Sequence, residues 1–179
     1  MRIQEVKKVF AFFFLLGFFV GIIYVNLYAK TYITSMGIFS DYFLEQFSGE
    51  NLHVEEYIVF ITGVRVFPIL FLAILSGTRH GKAAGSVYLL WTGFSGGLIL
   101  TTAILKLNVK GIFLCLVALM PHFICYIAAY IMLLLYIFTY PDVRWNHSKT
   151  VSMILFILMG IITECYLNPV LMDIFLKRI

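Results

Sequence analysis

The stretch ALMPHFICYIAAYIMLLL, residues 118–135, decides how this chain is read. Nearly all of it belongs in an apolar medium, yet Pro121 and His122 stand in its first third. A proline inside a helix removes an amide and costs about 3 kcal/mol. Histidine brings two ring nitrogens that need partners. The combination is coherent if these two residues face other helices while their neighbours face lipid.

The rest of the chain agrees. Of its 179 residues 62% are hydrophobic and 12% charged, against about 45–50% and 25% in soluble domains. One globular core cannot absorb that excess, so lipid is its natural solvent and the expected class is an integral membrane protein. The net charge of +4 comes from Lys and Arg gathered at the ends of apolar runs. No basic stripe with interleaved aromatics points to nucleic acid. Cys115, Cys125 and Cys165 all lie inside apolar runs without zinc-like spacing, which reads as packed free thiols and no metal site.

A membrane helix needs about 20 mostly apolar residues. Five segments qualify, at about 9–29, 57–76, 84–105, 111–138 and 150–169. The expected fold is therefore all-α and polytopic, one integral membrane domain over residues 1–179. The first apolar run is longer than the 7–15 residues of a signal-peptide core and is taken as an uncleaved span. The fourth segment is long, and Pro121 gives a physical cause for a kink. In the 30–56 connection, Tyr32, Met36, Phe39, Phe43 and Phe47 recur at helical spacing. This predicts an amphipathic helix over about 31–48, lying on the membrane face, with Asn51 as a cap for the next span.

Orientation follows from the basic residues. With the N-terminus inside, Arg2, Lys7, Lys8, Arg79, Lys82, Arg144 and Lys149 are cytoplasmic, while Lys30, Lys106, Lys110, Lys177 and Arg178 are outside. The bias and the first span favour a cytoplasmic N-terminus and an outer C-terminus in a cell membrane.

Three ionisable residues, Arg65, His122 and Glu164, fall within spans. At 1.5 Å per residue they lie roughly 12, 17 and 8 Å from one membrane face, with Asn26 near the same face. All four thus share one half of the membrane whichever way the protein is oriented. An unpaired charge there costs about 2.5–3.5 kcal/mol, so Arg65 and Glu164 are expected to pair, with His122 in the same cluster. The proline also frees the Val117 carbonyl. The cluster can fix helix register or mark a substrate or coupling path, and both readings stay open. For catalysis, the chain carries neither HExxH nor GxSxG.

Gly17 with Gly21, and Gly93 with Gly97, have the four-residue spacing that lets helices approach closely. The link SGTRHGK at 76–82 reads as a tight basic turn.

Three stretches together resemble the stage II sporulation protein M family and its wider relatives. LLGFFVGIIYVN (15–26) is similar to the family's first span, with paired glycines and a terminal Asn. LMPHFICYIAA (119–129) carries its Pro-His motif at Pro121 and His122, and GIITECYLNPVL (160–171) its last span, with Glu164 five residues before Pro169. Two positions depart: where relatives with Pro-His continue with Gly and then Glu, this chain has Phe123 and Tyr126. The resemblance implies a five-span protein without enzymatic activity, which in spore formers scaffolds peptidoglycan-remodelling proteins during engulfment.

Two functions are carried forward. One is a non-enzymatic membrane scaffold for other membrane or cell-wall-hydrolase proteins, with Phe39, Phe43 and Phe47 as docking anchors. The alternative is a membrane subunit of an ABC-type export system, partnered by a transport ATPase, with Arg79 and Lys82 as its contact. Neither reading calls for a cofactor.

Overall fold

A computed structural model describes residues 3–29, 54–120 and 122–176. In hydrocarbon every backbone amide and carbonyl must be satisfied internally, and these apolar runs accordingly fold as helices. They are α1 (Ile3–Tyr24), α2 (Val54–Ser76), α3 (Gly81–Leu107), α4 (Val109–Leu119), α5 (His122–Thr139), α6 (His147–Ile162) and α7 (Asn168–Leu176). A π-helical turn over Val25–Ala29 ends α1, and a second over Thr163–Leu167 joins α6 to α7. Five helical segments are long and apolar enough to cross a membrane: Gln4–Tyr28, Ile58–Ser76, Gly81–Leu107, His122–Thr139 and His147–Met172. The chain is an all-α polytopic membrane protein. The amphipathic segment 31–48 with Phe39, Phe43 and Phe47, the cap Asn51, and Pro121 itself lie outside the described residues.

The fourth span differs from the single helix expected over 111–138. It is two helices, α4 and α5, parted at Met120, whose backbone is extended at φ −86 and ψ 143. A residue followed by proline is driven out of the helical region by the proline ring, so the sequence produces a break where a kink was expected. Asn108 turns the chain between α3 and α4 with φ 50, a left-handed conformation in which asparagine is enriched. Gly111 then passes directly against the Ala103 backbone. At the other end Gly85 of α3 meets the Phe138 ring, so α4 and α5 in series retrace the length of α3.

The fifth span also runs longer than 150–169, as α6, a π-turn and α7. Pro169, second residue of α7, has no amide to donate. The π-turn adjusts the local ladder, with the Asn168 amide bonding the Thr163 carbonyl.

Helix α1 packs along α3 in parallel. A Cβ on Gly17 or Gly21 would run into the Leu90 or Phe94 carbonyl, and one on Gly93 or Gly97 into the Phe14 or Phe18 carbonyl. The four glycines form two facing tracks that let the backbones touch, which is how small residues associate helices in lipid. The main core lies around α5, where Leu133, Ile137 and Phe138 pack with Leu72 of α2, Leu89 of α3, Val6 of α1 and Ile157 of α6. Outward, the bundle shows Phe12, Phe67, Ile74, Trp91 and Leu158, the apolar exterior that lipid solvates. The turns at 77–80 and 140–146 lie at one end of the bundle, Asn108 at the other.

Candidate functional site

The polar centre is built on α2, α5 and the α6–α7 junction. Arg65 stands midway along α2, His122 is the first residue of α5, and Glu164 lies in the π-turn after α6. π-Turns often occur at functional positions. Here the turn sets a buried carboxylate between two other helices.

Glu164 is 5% exposed and holds three donors. Arg65 forks onto it, Nε donating to Oε2 at 3.0 Å and Nη2 donating to Oε1. The Tyr126 hydroxyl donates to Oε2 at 2.7 Å. Bidentate guanidinium–carboxylate pairs are among the strongest hydrogen-bonded contacts. Around the pair, the Arg65 guanidinium sits 5.0 Å from the centre of the Tyr126 ring, a favourable cation–π distance. Tyr130, one turn on, donates to the Arg65 carbonyl at 3.3 Å and stacks on Tyr88 of α3 at 4.8 Å. Helices α2 and α5 and the α6–α7 junction thus meet on one ion pair, with α3 joined to it through Tyr130.

His122 is almost wholly buried, its Nε2 turned toward Glu164 Oε1 at 3.9 Å. That is beyond hydrogen-bond length, so its contribution to the carboxylate is electrostatic. Its ring rests edge-on to Tyr126 at 6.0 Å.

The structure brings Arg65, His122 and Glu164 together and leaves Asn26 out. Asn26 was expected in the buried cluster, but it is exposed, and its amide donates to the Ile22 carbonyl at 2.9 Å, within its own helix. The buried positions leading up to it are Gly17, Gly21 and Val25; Asn26, one residue on in the π-turn, points to another side. Pro169 is half-buried in α7. Cys115 and Cys165 are buried, Cys125 is half-buried, and all three are free thiols. Among the described residues no group of three or more His, Cys, Asp or Glu side chains is placed to hold a metal ion.

Three residues of the site were missed by reading depth alone: Tyr126, Gly160 and Asn168. Each had a signal in its spacing. Tyr126 is four residues after His122, and Gly160 and Asn168 flank Glu164 by four on either side. Gly160 is required by the close approach of Tyr126, since a Cβ there would come within 2.6 Å of the ring. Replacing Tyr126 with Phe removes a hydrogen bond to a charged acceptor. It is expected to cost about 1.5–3 kcal/mol, read as a lower unfolding midpoint in mixed micelles.

Comparison of the chain with protein-family models, with curated proteins and with solved structures finds no match.

Proposed function

We propose that the protein is a non-enzymatic, multi-pass membrane scaffold that holds other proteins at the membrane. One observation carries the reading: the Glu164 carboxylate is engaged by donors of the chain itself, two from Arg65 and one from Tyr126. A charge so satisfied acts as a lock between helices and fixes their register. The resemblance to the stage II sporulation protein M family supports the same reading. The lock also bears on the chain's departure from that family, since Tyr126 occupies the position of the relatives' second carboxylate. A carboxylate there would repel Glu164, whereas the phenol donates to it.

The scaffold sits in the cell membrane with its N-terminus cytoplasmic, in keeping with Arg79, Lys82, Arg144 and Lys149 at one end of the bundle. Its partners are cell-wall hydrolases or other membrane proteins, and Phe39, Phe43 and Phe47 supply an apolar docking surface outside. The test is crosslinking in the native membrane, then purification in mild detergent and identification of what is recovered. Peptidoglycan hydrolases are expected, with recovery reduced when the three phenylalanines are replaced by Ser in a protein that still inserts. Recovery of a cytoplasmic ATPase instead overturns the scaffold in favour of an ABC-type export subunit.

A further inference from the structure

Two buried polar atoms of the described residues have no hydrogen-bond partner within the chain: His122 Nδ1 and Asn168 Oδ1. The residues carrying them are 2% and 9% exposed. Such atoms are rare in folded proteins and call for a physical explanation.

Both flank Glu164: His122 faces its carboxylate across the bundle, and Asn168 follows it by four residues. Along the α6–α7 face, Gly160 lies against Tyr126, and Glu164 against Tyr126 and His122. Farther along, Met172 packs in one cluster with Leu114 and Cys115 of α4. Asn168, midway between Glu164 and Met172, therefore stands opposite the stretch between Cys115 and His122, where α4 ends and α5 begins.

The chemistry around Glu164 is defined. His122 turns Nε2 toward the Glu164 carboxylate, an acceptor. That favours the tautomer with its proton on Nε2, which leaves Nδ1 a bare lone pair. Asn168 Oδ1 is likewise an acceptor. Two buried acceptors flanking one carboxylate ask for a guest that donates twice. A cation is disfavoured, because Arg65 already compensates Glu164 and a further positive charge would stand unpaired in a low dielectric. A small neutral double donor meets the requirement. The first amides of α5 have no partner within their helix, and one of them can donate to the guest's oxygen, giving the three hydrogen bonds usual for buried water.

We propose that one water sits between His122 and Asn168, donating to His122 Nδ1 and Asn168 Oδ1. The water satisfies both acceptors and lets the chain keep His122 in the membrane interior. The proposal does not depend on the scaffold reading.

Solid-state NMR of the full chain in phospholipid bilayers, with ¹⁵N-labelled histidine, tests it. The protein has four histidines, and the His122 signals are assigned by their loss in His122→Phe. The expected result is an unprotonated Nδ1, a protonated Nε2, and magnetisation transfer from water to the His122 ring. Replacing Asn168 with Leu should abolish that transfer, and Asn168→Ala, which removes the same oxygen with less strain, should do so if the leucine variant fails to insert. A protonated Nδ1, no water transfer in the unaltered protein, or transfer unchanged without the Asn168 oxygen each overturns the site.

Discussion

Replacing Arg65 with leucine is expected to destabilise the bundle by about 3–5 kcal/mol, the cost of removing one partner from a buried ion pair. The Glu164 carboxylate would stay 5% exposed with only the Tyr126 hydroxyl as a donor. The Arg65 side chain is 32% exposed, so the larger share of the loss comes from the carboxylate left buried. Arg65→Lys should recover only part of the loss, because an ammonium cannot reproduce the two-pronged contact. The double variant Arg65→Leu with Glu164→Leu should be more stable than Arg65→Leu alone, since no charge is then stranded. Unfolding by SDS titration from mild-detergent micelles, run as a double-mutant cycle, reads this coupling directly. Strictly additive losses would mean that the two side chains do not hold the helices together.

The second large effect concerns the contact of α1 with α3. Gly93→Ala is expected to cost about 1–3 kcal/mol, the usual cost of overpacking. The added methyl would press on the Phe14 carbonyl and lie 3.0 Å from the Phe18 amide nitrogen, both of them backbone and unable to swing aside. Gly96 supplies the control in the same helix. A Cβ there meets only the Phe18 ring, at 3.9 Å, so Gly96→Ala should be neutral or slightly stabilising through helix propensity. The same chemical change three residues apart is thus costly at one position and harmless at the other. Equal effects in the unfolding assay would show that α1 does not ride on the glycine track.

Much of the architecture is legible in the sequence because it depends on local quantities. Span length and hydropathy mark the apolar runs from Val9 and Tyr57 onward without reference to any neighbour. Glycine spacing is equally local: Gly17, Gly21, Gly93 and Gly97 lie on a single face of any helix containing them. The fourth span is a middle case. Pro121 announced an irregularity, but whether the helix would bend or part depends on what packs beside it. Here α7 packs on α4 and α6 on α5, which holds the two pieces as separate helices.

The polar centre was legible in height only. Counting residues along each span places Arg65, His122, Glu164 and Asn26 in one half of the membrane, yet says nothing about the direction in which each points. Packing settles that. The glycine track turns α1 toward α3 and leaves Asn26 outside, satisfied by its own helix. Gly160 admits the Tyr126 ring beside Glu164, and the π-turn at Thr163–Leu167 sets that carboxylate opposite Arg65.

The sequence by itself determined that this protein is a bundle of membrane-crossing helices with small-residue faces and a few charges at depth. Length, hydropathy and spacing are properties of each segment alone. Only the tertiary structure decided which of those charges meet, that a tyrosine joins them, and where buried acceptors are left without a partner in the chain. Those outcomes depend on the rotation of each helix about its own axis, which the close contacts of its neighbours fix.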